Sequence, residues 1–316
     1  MPDLSAFEKR LCNALQEGLP ISQRPFAEIA KILGSNKDEV LKQTRDLLNR
    51  GVIRRIGAII NWQAIGWATT LATTSIEEEK LKNVVEAVNQ IDEVSHNYLR
   101  DHYYNLWFTL RADSQKKIDE ILGRLSEQFA TAFHSLPVVR VFKLDVRFDA
   151  ESNGRNLLTL VSTQDAGRAT IDEIDKQILA GLQKGLEATE QPFDFLCTDN
   201  LRIDEVLSRI NKMIREGAIR RIGAVVNHNK LGFVANAMFV CGVDEQHIIE
   251  TGENLAKLNI ASHCYQRKPF DGWPYNLFAM MHGRQPADIR QAAEEFVKSH
   301  SIEKWELLAT KSRLKK

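Results

Sequence analysis

Residues 51–60 read GVIRRIGAII, and residues 217–226 read GAIRRIGAVV. Further matching motifs follow downstream of both stretches, so the two copies stay in step at an interval of about 166 residues. Solenoid repeats are ~20–50 residues long, and the longer interval therefore indicates a duplicated unit of domain size. Between residues 153 and 170 small polar residues concentrate and apolar periodicity fades, which predicts the join between the copies there.

The sequence before the quoted stretch predicts a helical domain in each copy. In the first copy, apolar spacing and the capping residues Pro25, Gly34 and Ser35 or Asn36 predict helices over 4–18, 25–33 and 36–50. The quoted stretch itself predicts two strand-like ends around a short break, which is typical of a β wing. We therefore expect a winged helix-turn-helix over residues 1–62. The second copy, with helices over 172–181 and 198–216, predicts another over residues 171–228.

Both copies then change to a pattern that mixes strands with helices in the order βαββαβ. The expected segments are 68–74, 77–89, 94–100, 105–111, 114–129 and 138–148, followed in the second copy by 233–243, 246–258, 261–267, 276–283, 287–300 and 304–309. This order is the ferredoxin-like plan, expected over residues 63–152 and 229–316. Both helices lie on one side of such a sheet, which leaves its other face for a ligand or partner. The predicted fold class is α+β, and the two ferredoxin-like domains can pack as an internal pseudo-dimer.

Composition narrows the functional class. Lys plus Arg and Asp plus Glu both number 42, and this balance argues against non-specific attraction to nucleic acid. The four cysteines are scattered without a CxxC pair, so we expect reduced thiols and neither a zinc nor an iron–sulfur site. The N-terminus lacks the apolar run of a signal peptide, and no stretch approaches the ~20 apolar residues of a membrane helix. We expect a cytoplasmic protein that does not interact with membranes.

The strongest candidate site is a motif that occurs once in each half. Residues 95–100 read SHNYLR and residues 262–267 read SHCYQR, each before an aromatic-rich run. Alternate residues of a strand project from one face, so the histidine, tyrosine and arginine of each motif should lie side by side. These residues are His96, Tyr98 and Arg100 in the first half, and His263, Tyr265 and Arg267 in the second. Cys264 should point to the opposite face and join the core. A lone histidine on a strand is usually structural, but two in matching motifs favour a functional site.

The architecture resembles the leucine-responsive regulator/AsnC family of transcription factors over nearly the full length of each half. A sharper resemblance is to the siroheme decarboxylases. Three motifs are similar to one subunit type: RRIGA at 54–58, SHNY at 95–98 and YNLWF at 104–108. Five others are similar to the second subunit type: RRIGA at 220–224, NH at 227–228, NAM at 236–238, SHCYQR at 262–267 and WPYNLF at 273–278. The whole chain therefore resembles a fusion of the two types.

This resemblance implies an activity and a set of roles. The family is implied to remove the carboxyl groups of the acetate side chains at C12 and C18 of siroheme, giving didecarboxysiroheme for heme d1 or, by an alternative route, heme b. Siroheme would then be the substrate, and no cofactor or metal is needed beyond its own iron and tetrapyrrole ring. Arginine forks suit the carboxylates, aromatic faces suit the ring, and a histidine suits proton delivery.

The residues expected to fill these roles fall into four groups. His96 and His263 are candidate proton donors, with Tyr98 and Tyr265 as orienting or relay groups, and either histidine can instead ligate the siroheme iron. The candidate carboxylate-binding residues are Arg54, Arg55, Arg100, Arg220, Arg221 and Arg267. The candidate aromatic contacts of the ring are Trp107, Phe108, Trp273 and Phe278. Tyr104, Tyr275, Asn105 and Asn276 either contact substrate or order the hairpins, and His228 is either a one-site ligand or an exposed loop residue.

Two alternatives to an enzyme are a DNA-binding regulator and a heme-binding module without catalysis. The helices over 36–50 and 199–216 would read DNA, but their charges nearly balance and their sequences differ, which argues against two equivalent half-site readers. As partners we expect siroheme and its product, a second copy of the chain or related decarboxylase subunits, and no DNA. Whether both halves are active, and in which order the acetates react, stays open.

Overall fold

The computed structural model describes residues 4–144, 147–151 and 169–315. These residues form two compact units. A helical unit holds residues 4–65, 147–151 and 169–233, and a strand-rich unit holds residues 66–144 and 234–315. The predicted join at 153–170 lies, up to residue 168, outside the described residues.

The helices and strands of the described residues follow the predicted order. The helices are α1 (Ala6–Glu17), α2 (Pro25–Leu33), α3 (Lys37–Asn49), α4 (Glu78–Asn89), α5 (Gln115–Phe129), α6 (Glu173–Lys184), α7 (Ile203–Arg215), α8 (Ile248–Lys257) and α9 (Pro286–Ser299). The strands are β1 (Ile53–Ile60), β2 (Ala68–Thr74), β3 (Val94–Arg100), β4 (Leu106–Ala112), β5 (His134–Leu144), β6 (Ile219–Val226), β7 (Ala235–Cys241), β8 (Ala261–Arg267), β9 (Leu277–Gly283) and β10 (Trp305–Arg313).

Local signals set the ends of the helices in the helical unit. Ser5 caps α1 by accepting from the backbone N–H of Glu8, whose carboxylate accepts from the Ser5 backbone N–H in return. Helix α2 begins at Pro25 and is followed by Gly34, whose φ of 65° is left-handed. Asn36 caps α3. The sequence predicted Pro25, Gly34 and Asn36 in these places, whereas it did not predict the Ser5 cap.

The predicted wing is one continuous strand in each half, and the expected break inside residues 53–60 is wrong. Strand β1 pairs antiparallel with β6 of the other half, with Gly57 opposite Gly223. A glycine often interrupts a strand, but here it is accommodated because the side chain two residues earlier lies over it, as described below. The two wing strands therefore form one shared ribbon.

The strand-rich unit is a closed eight-stranded barrel built from both ferredoxin-like halves. The strand order is β10-β3-β4-β2-β5-β8-β9-β7, and β7 pairs again with β10 to close it. Each half keeps the ferredoxin-like order, and the last strand of each half pairs with the hairpin strand of the other, β5 with β8 and β10 with β3. Helices α4 and α5 cover one half and α8 and α9 the other, so the opposite sheet faces line the inside. The expected α+β class and the internal pairing are confirmed.

Several strand limits differ from the prediction, and β10 for example extends to Arg313 where an end at residue 309 was expected. Strand β5 begins at His134, four residues before the expected start at 138. Its first residues pair with β2 and its last residues pair with β8 of the other half. The sequence pattern did not predict this dual pairing, because it is created by contacts between distant segments.

Candidate active site

Two matching rows of side chains lie on β3 and β8, the first hairpin strand of each half. The histidine and tyrosine rings stack in both rows, with centroids 6.2 Å apart for His96 and Tyr98 and 6.1 Å apart for His263 and Tyr265. The guanidinium carbon of the following arginine lies over the tyrosine ring, at 5.5 Å for Arg100 and at 4.8 Å for Arg267. Cys264 points the other way and is buried under α8, where its thiol contacts the Gly252 carbonyl. The structure thus brings together the three side chains of each motif.

A β-bulge precedes the histidine of each row. The register of β3 on β4 and of β8 on β9 shifts by one residue at Ser95 and at Ser262. Bulges re-aim side chains and are common beside active sites. Each serine hydroxyl consequently reaches the Nδ1 atom of the histidine that follows it, at 3.1 Å for His96 and 3.0 Å for His263.

The arginines of the two rows are buried without a carboxylate. Arg100 is 4% exposed and Arg267 is 6% exposed, and within the described ranges neither forms an ion pair. Arg100 donates to the Leu308 carbonyl and the Thr310 hydroxyl, and Arg267 donates to the Leu136 carbonyl. Neither Nε atom has a hydrogen-bond partner. Burial lowers the pKa of both guanidinium groups to about 10.

A buried cation of this kind is costly unless an anion pairs with it. The two arginines therefore mark places where an anionic ligand would lower the free energy of the folded protein. Their unpaired Nε atoms are donors of the kind that a carboxylate accepts from.

The first row also reaches toward the second. The Nη2 atom of Arg100 lies 3.6 Å from the Met280 sulfur. Met280 is the residue opposite His263 in the pairing of β8 with β9. The cation of one half therefore contacts the residue that pairs with the histidine of the other half, a relationship that sequence spacing could not predict.

An apolar cluster drawn from both halves lies on the inner face of the barrel. Its buried members are Trp107, Leu136, Met238, Val240, Trp273, Tyr275, Phe278 and Leu308. Trp273 comes from the long second hairpin loop and packs on Trp107, with 5.5 Å between ring centroids. Its Nε1 atom is buried without a hydrogen-bond partner. Phe108, also expected to flank a ring, instead packs against Phe133 in the core under α4 and α5, because it alternates with Trp107; that expectation is wrong.

One of the predicted hairpin residues, Tyr275, joins a polar cluster, and another, Tyr104, packs on an aromatic ring. The Tyr275 hydroxyl donates to Glu306 Oε1 at 2.7 Å, and Nε2 of His102 lies 3.1 Å from Glu306 Oε2. Burial and the carboxylate raise the pKa of Tyr275. Tyr104 packs edge-on against Trp273 at 5.7 Å, and burial raises its pKa. The sequence analysis missed Glu306, although its alternation along β10 with buried Leu308 places it on the inner face.

The asparagines of the two hairpins hold neighbouring loops. The Asn276 amide accepts from the Val243 backbone N–H at 3.0 Å and donates to the Val243 carbonyl at 2.8 Å. Asn105 makes the same pair of bonds with Ile76, at 2.9 and 2.8 Å. Of the two alternatives left open, this geometry is the one expected of residues that order the hairpins.

Comparisons with known proteins agree on one family. Residues 64–143 and 230–315 match the AsnC-like ligand binding domain, and residues 8–54 match the siroheme decarboxylase NirDL-like HTH domain. The chain is 32% identical to the siroheme decarboxylase of Hydrogenobacter thermophilus over 97% of this chain and 92% of that protein. The chain belongs to the siroheme decarboxylase family. The expected resemblance is thereby confirmed, and so is the expectation of an enzyme of the carboxy-lyase class.

Further relatives agree with this membership of the siroheme decarboxylase family. The NirD subunit of Pseudomonas aeruginosa is 37% identical over 48% of this chain and 99% of that subunit. A crystal structure of the siroheme decarboxylase NirDL superposes with a TM-score of 0.75 at 29% identity, covering 98% of this chain and 92% of that one. A second crystal structure of NirDL, in complex with an iron-uroporphyrin III analogue, gives 0.74 at 28% identity over the same shares.

Five candidate residues of this siroheme decarboxylase family member lie in the helical unit, and they are Arg54, Arg55, Arg220, Arg221 and His228. Arg55 lies over Gly57, where an added Cβ would come within 2.6 Å of Arg55 Nη1 and 2.7 Å of the Leu182 carbonyl in the last turn of α6. Arg221 lies over Gly223 in the same way, beside the Leu15 carbonyl near the end of α1. Burial, with a smaller contribution from Arg221, lowers the pKa of Arg55. A cation beside a helix C-terminus is stabilising, so this arrangement provides a structural role for both arginines.

The other three candidates of that unit lie nearby in the sequence. Arg54 is exposed and donates to the Asn227 side chain at 3.3 Å, and Arg220 is half-buried. His228 Nδ1 lies 2.8 Å from the Phe233 carbonyl, and its ring lies 5.7 Å from that of Phe148. A carbonyl only accepts, so the ring donates from Nδ1, which orients His228 within its own loop.

The two helices that would read DNA use basic side chains for internal contacts. On α3, Lys37 pairs with Glu190, and Arg45 donates to the Ala188 carbonyl. On α7, Arg209 pairs with three carboxylates, and these hydrogen bonds raise its pKa. Cations that are already neutralised contribute little to phosphate contacts, which argues further against a DNA reader.

The described residues lack two kinds of feature. No group of three or more His, Cys, Asp or Glu side chains within those ranges could hold a metal ion. None of the helices in the described part of the chain is long and apolar enough to cross a membrane.

Proposed function

We propose that the protein removes CO2 from the acetate side chains at C12 and C18 of siroheme, giving 12,18-didecarboxysiroheme. One observation carries the proposal: two buried arginines without carboxylate partners adjoin two histidine–tyrosine rows on the inner face of the barrel. Siroheme has eight carboxylates, so it offers the anions that these cations lack. Membership of the siroheme decarboxylase family supports siroheme as the ligand.

The chemistry requires little of the protein beyond positioning and a proton. The bond between the acetate methylene and its carboxyl carbon breaks, CO2 leaves, and the electron pair moves into the electron-poor macrocycle. A proton then reaches the methylene carbon and converts it to a methyl group. An imidazole suits this step because its ordinary pKa is near neutrality, so His96 and His263 are the proposed donors. Tyr98 and Tyr265, stacked on them, orient the rings or relay protons.

The buried arginines position the substrate. Arg100 and Arg267 bind carboxylates that do not react, which holds the macrocycle in place, while the reacting carboxylate stays poorly stabilised beside apolar and aromatic side chains. Tyr104, Trp273, Tyr275 and Asn276 shape the hairpins that carry these groups, with Trp273 offering an indole N–H. Arg54, Arg55, Arg220, Arg221 and His228 stay proposed contacts of the substrate, although Arg55 and Arg221 also have the structural role described above.

The reaction also needs a cofactor assignment, a cellular compartment, partner subunits and a use for its product. The substrate brings its own iron and tetrapyrrole ring, and we propose no further cofactor. We propose that the protein works in the cytoplasm, as a homo-oligomer or with related decarboxylase subunits. The product would feed heme d1 or, by an alternative route, heme b formation.

Incubation of the purified protein with siroheme tests the proposal. Mass spectrometry of the extracted tetrapyrrole should show the loss of two CO2 units per molecule. A shifted absorption band without a change in mass would instead indicate a carrier of tetrapyrroles. Retardation of DNA by the protein, with siroheme unchanged in mass, would favour a transcription regulator.

A further inference from the structure

The hairpin loop that follows each buried arginine of the two rows lies against the last strand of the other half. In the first half, the backbone N–H of Asp101 donates to the Ala309 carbonyl of β10 at 3.0 Å. In the second half, the backbone N–H of Lys268 donates to the Pro137 carbonyl of β5 at the same distance. The two loops therefore occupy equivalent places, although the second is longer and differs in sequence.

Each of these two strands contacts its loop through one side chain at an equivalent position. On β10 the side chain is that of Glu306, two residues before Leu308, whose carbonyl accepts from the buried arginine of the first half. On β5 it is that of His134, two residues before Leu136, whose carbonyl accepts from the buried arginine of the second half. The position is the same, but it holds a carboxylate in one half and an imidazole in the other.

The first loop is held by a hydrogen bond to the carboxylate. His102 Nε2 lies 3.1 Å from Glu306 Oε2, and His102 Nδ1 accepts from the backbone N–H of Tyr104 at 2.9 Å. A neutral imidazole carries one ring hydrogen, so this hydrogen is on Nε2 and is donated to the carboxylate. The contact between His102 and Glu306 is called the first anchor below.

The second loop is held by a ring stack. Phe270 lies parallel to His134, with 4.0 Å between ring centroids and 11° between ring planes. Burial lowers the pKa of His134, which favours the neutral imidazole that stacks on an apolar ring. This stack is called the second anchor below. The two loops also contact each other, because Tyr104 lies edge-on to Phe270 at 5.3 Å and to Trp273 at 5.7 Å.

The two loops control how much water reaches the buried arginines. A buried cation lowers its free energy when water solvates it. Each loop begins at the residue after the arginine, so outward movement of the loop would admit water to the guanidinium group. An anchor that keeps the loop on its strand opposes this movement and keeps the cation dry and in place. Binding of an anion then needs less ordering of the protein, and its affinity is higher.

We propose that the residues of the two anchors are positioning residues that hold the buried arginines ready for substrate carboxylates. The first anchor acts through Arg100 and the second anchor acts through Arg267. Each carboxylate-binding position can therefore be weakened separately, by a change in the loop that follows it. The role toward substrate rests on the proposed function, whereas the anchoring of the loops is a property of the protein alone.

Titration with iron uroporphyrin III tests which arginine the first anchor serves. His102→Leu removes that anchor and should weaken binding about fivefold, the worth of one net hydrogen bond. The loss should be as large in the Arg267→Met protein, and His102→Leu should cause no further loss in the Arg100→Met protein. His102→Gln keeps an N–H donor for Glu306 and should restore most of the affinity.

Phe270→Leu is the matched variant for the second anchor. It removes one ring pair and should weaken binding about 2- to 12-fold, with the same loss in the Arg100→Met protein and no further loss in the Arg267→Met protein. Phe270→Tyr keeps the ring and should bind as the unmodified protein does. A general loosening of the barrel would instead give equal losses in both arginine variants, and that result would overturn the proposal, as would full affinity in both leucine variants.

Hydrogen exchange of the ligand-free protein tests the anchors without a ligand. His102→Leu should speed deuterium uptake in residues 101–105 more than in residues 268–276, and Phe270→Leu should do the reverse. Unchanged uptake in both loops would overturn the proposal. If the unmodified protein does not bind iron uroporphyrin III, the proposed function fails, whereas the exchange measurement still decides whether the anchors hold the loops.

Discussion

The variant Arg267→Met tests whether the buried cation of Arg267 serves ligand binding or the stability of the fold. The lowering of the Arg267 pKa from 12.5 to about 10 corresponds to roughly 3 kcal/mol against the charged form, and methionine removes that penalty. The variant loses the bond to the Leu136 carbonyl and leaves that oxygen unsatisfied, which costs about 1–3 kcal/mol. The two effects nearly cancel, so the free energy of unfolding should change by less than about 1–2 kcal/mol.

Lys143→Met is the matched control. Lys143 is a fully buried cation on the neighbouring strand, but its Nζ donates to the Ala256 and Leu258 carbonyls at the end of α8, at 3.0 and 3.5 Å. Its charge is therefore compensated by the fold. Lys143→Met should lower the free energy of unfolding by about 2–3 kcal/mol and leave ligand affinity unchanged.

Denaturant unfolding and titration with iron uroporphyrin III, a carboxylate-rich tetrapyrrole, give the two readouts. Loss of a charge-assisted arginine–carboxylate contact, worth about 1.5–3 kcal/mol, should weaken binding by Arg267→Met roughly 10- to 150-fold. The reasoning is refuted if Arg267→Met unfolds far more easily than Lys143→Met and binds the ligand as tightly as the unmodified protein.

Three further predictions concern stability. Gly57→Ala places a Cβ 2.7 Å from the Leu182 carbonyl and should lower the free energy of unfolding by about 1–3 kcal/mol, whereas the control Gly123→Ala, with open space around it in α5, should raise it by about 0.5–1 kcal/mol; equal effects in denaturant unfolding would contradict this. Asn276→Ala removes both backbone contacts of its amide and should lower the thermal midpoint through a loss of about 2 kcal/mol; an unchanged midpoint would show that these contacts do not stabilise the fold. Burial raises the pKa of Glu8, but hydrogen bonds and an adjacent arginine outweigh it and hold the pKa below 4.5. The stability from Glu8 is therefore complete above pH 4.5 and lost as the pH falls through the lowered value, so Glu8→Gln should flatten the acid limb of a stability–pH curve, and an unchanged limb would refute the assignment.

Local signals predicted most of the secondary structure. Strands β2, β3 and β8 have the limits that alternation predicted. Asn36 caps the start of α3 and Gly34 follows the end of α2, as capping chemistry requires. These features depend on neighbours within a few residues, and the sequence shows such neighbours directly. The placement of histidine, tyrosine and arginine on one face belongs to the same class, since it needs only the period of a strand.

Contacts between distant segments were not predictable in the same way. The pairing of β1 with β6 and the closure of the barrel join residues from both halves. The burial of Arg100 and Arg267 follows from that closure, so their lack of carboxylate partners became visible only in the fold. The bulge at Ser262 is likewise a difference in length between paired strands, and a period-two pattern read along one strand does not reveal it.

The mass of the tetrapyrrole recovered from the His96→Ala and His263→Ala variants after incubation with siroheme tests the central claim most directly. The claim is that imidazoles on the two hairpin strands enable the replacement of each departing carboxyl group by hydrogen. The account predicts that the unmodified protein yields substrate lacking two CO2 units, and that neither variant reaches that product at the unmodified rate. Didecarboxylated product formed at the unmodified rate by both variants would contradict it.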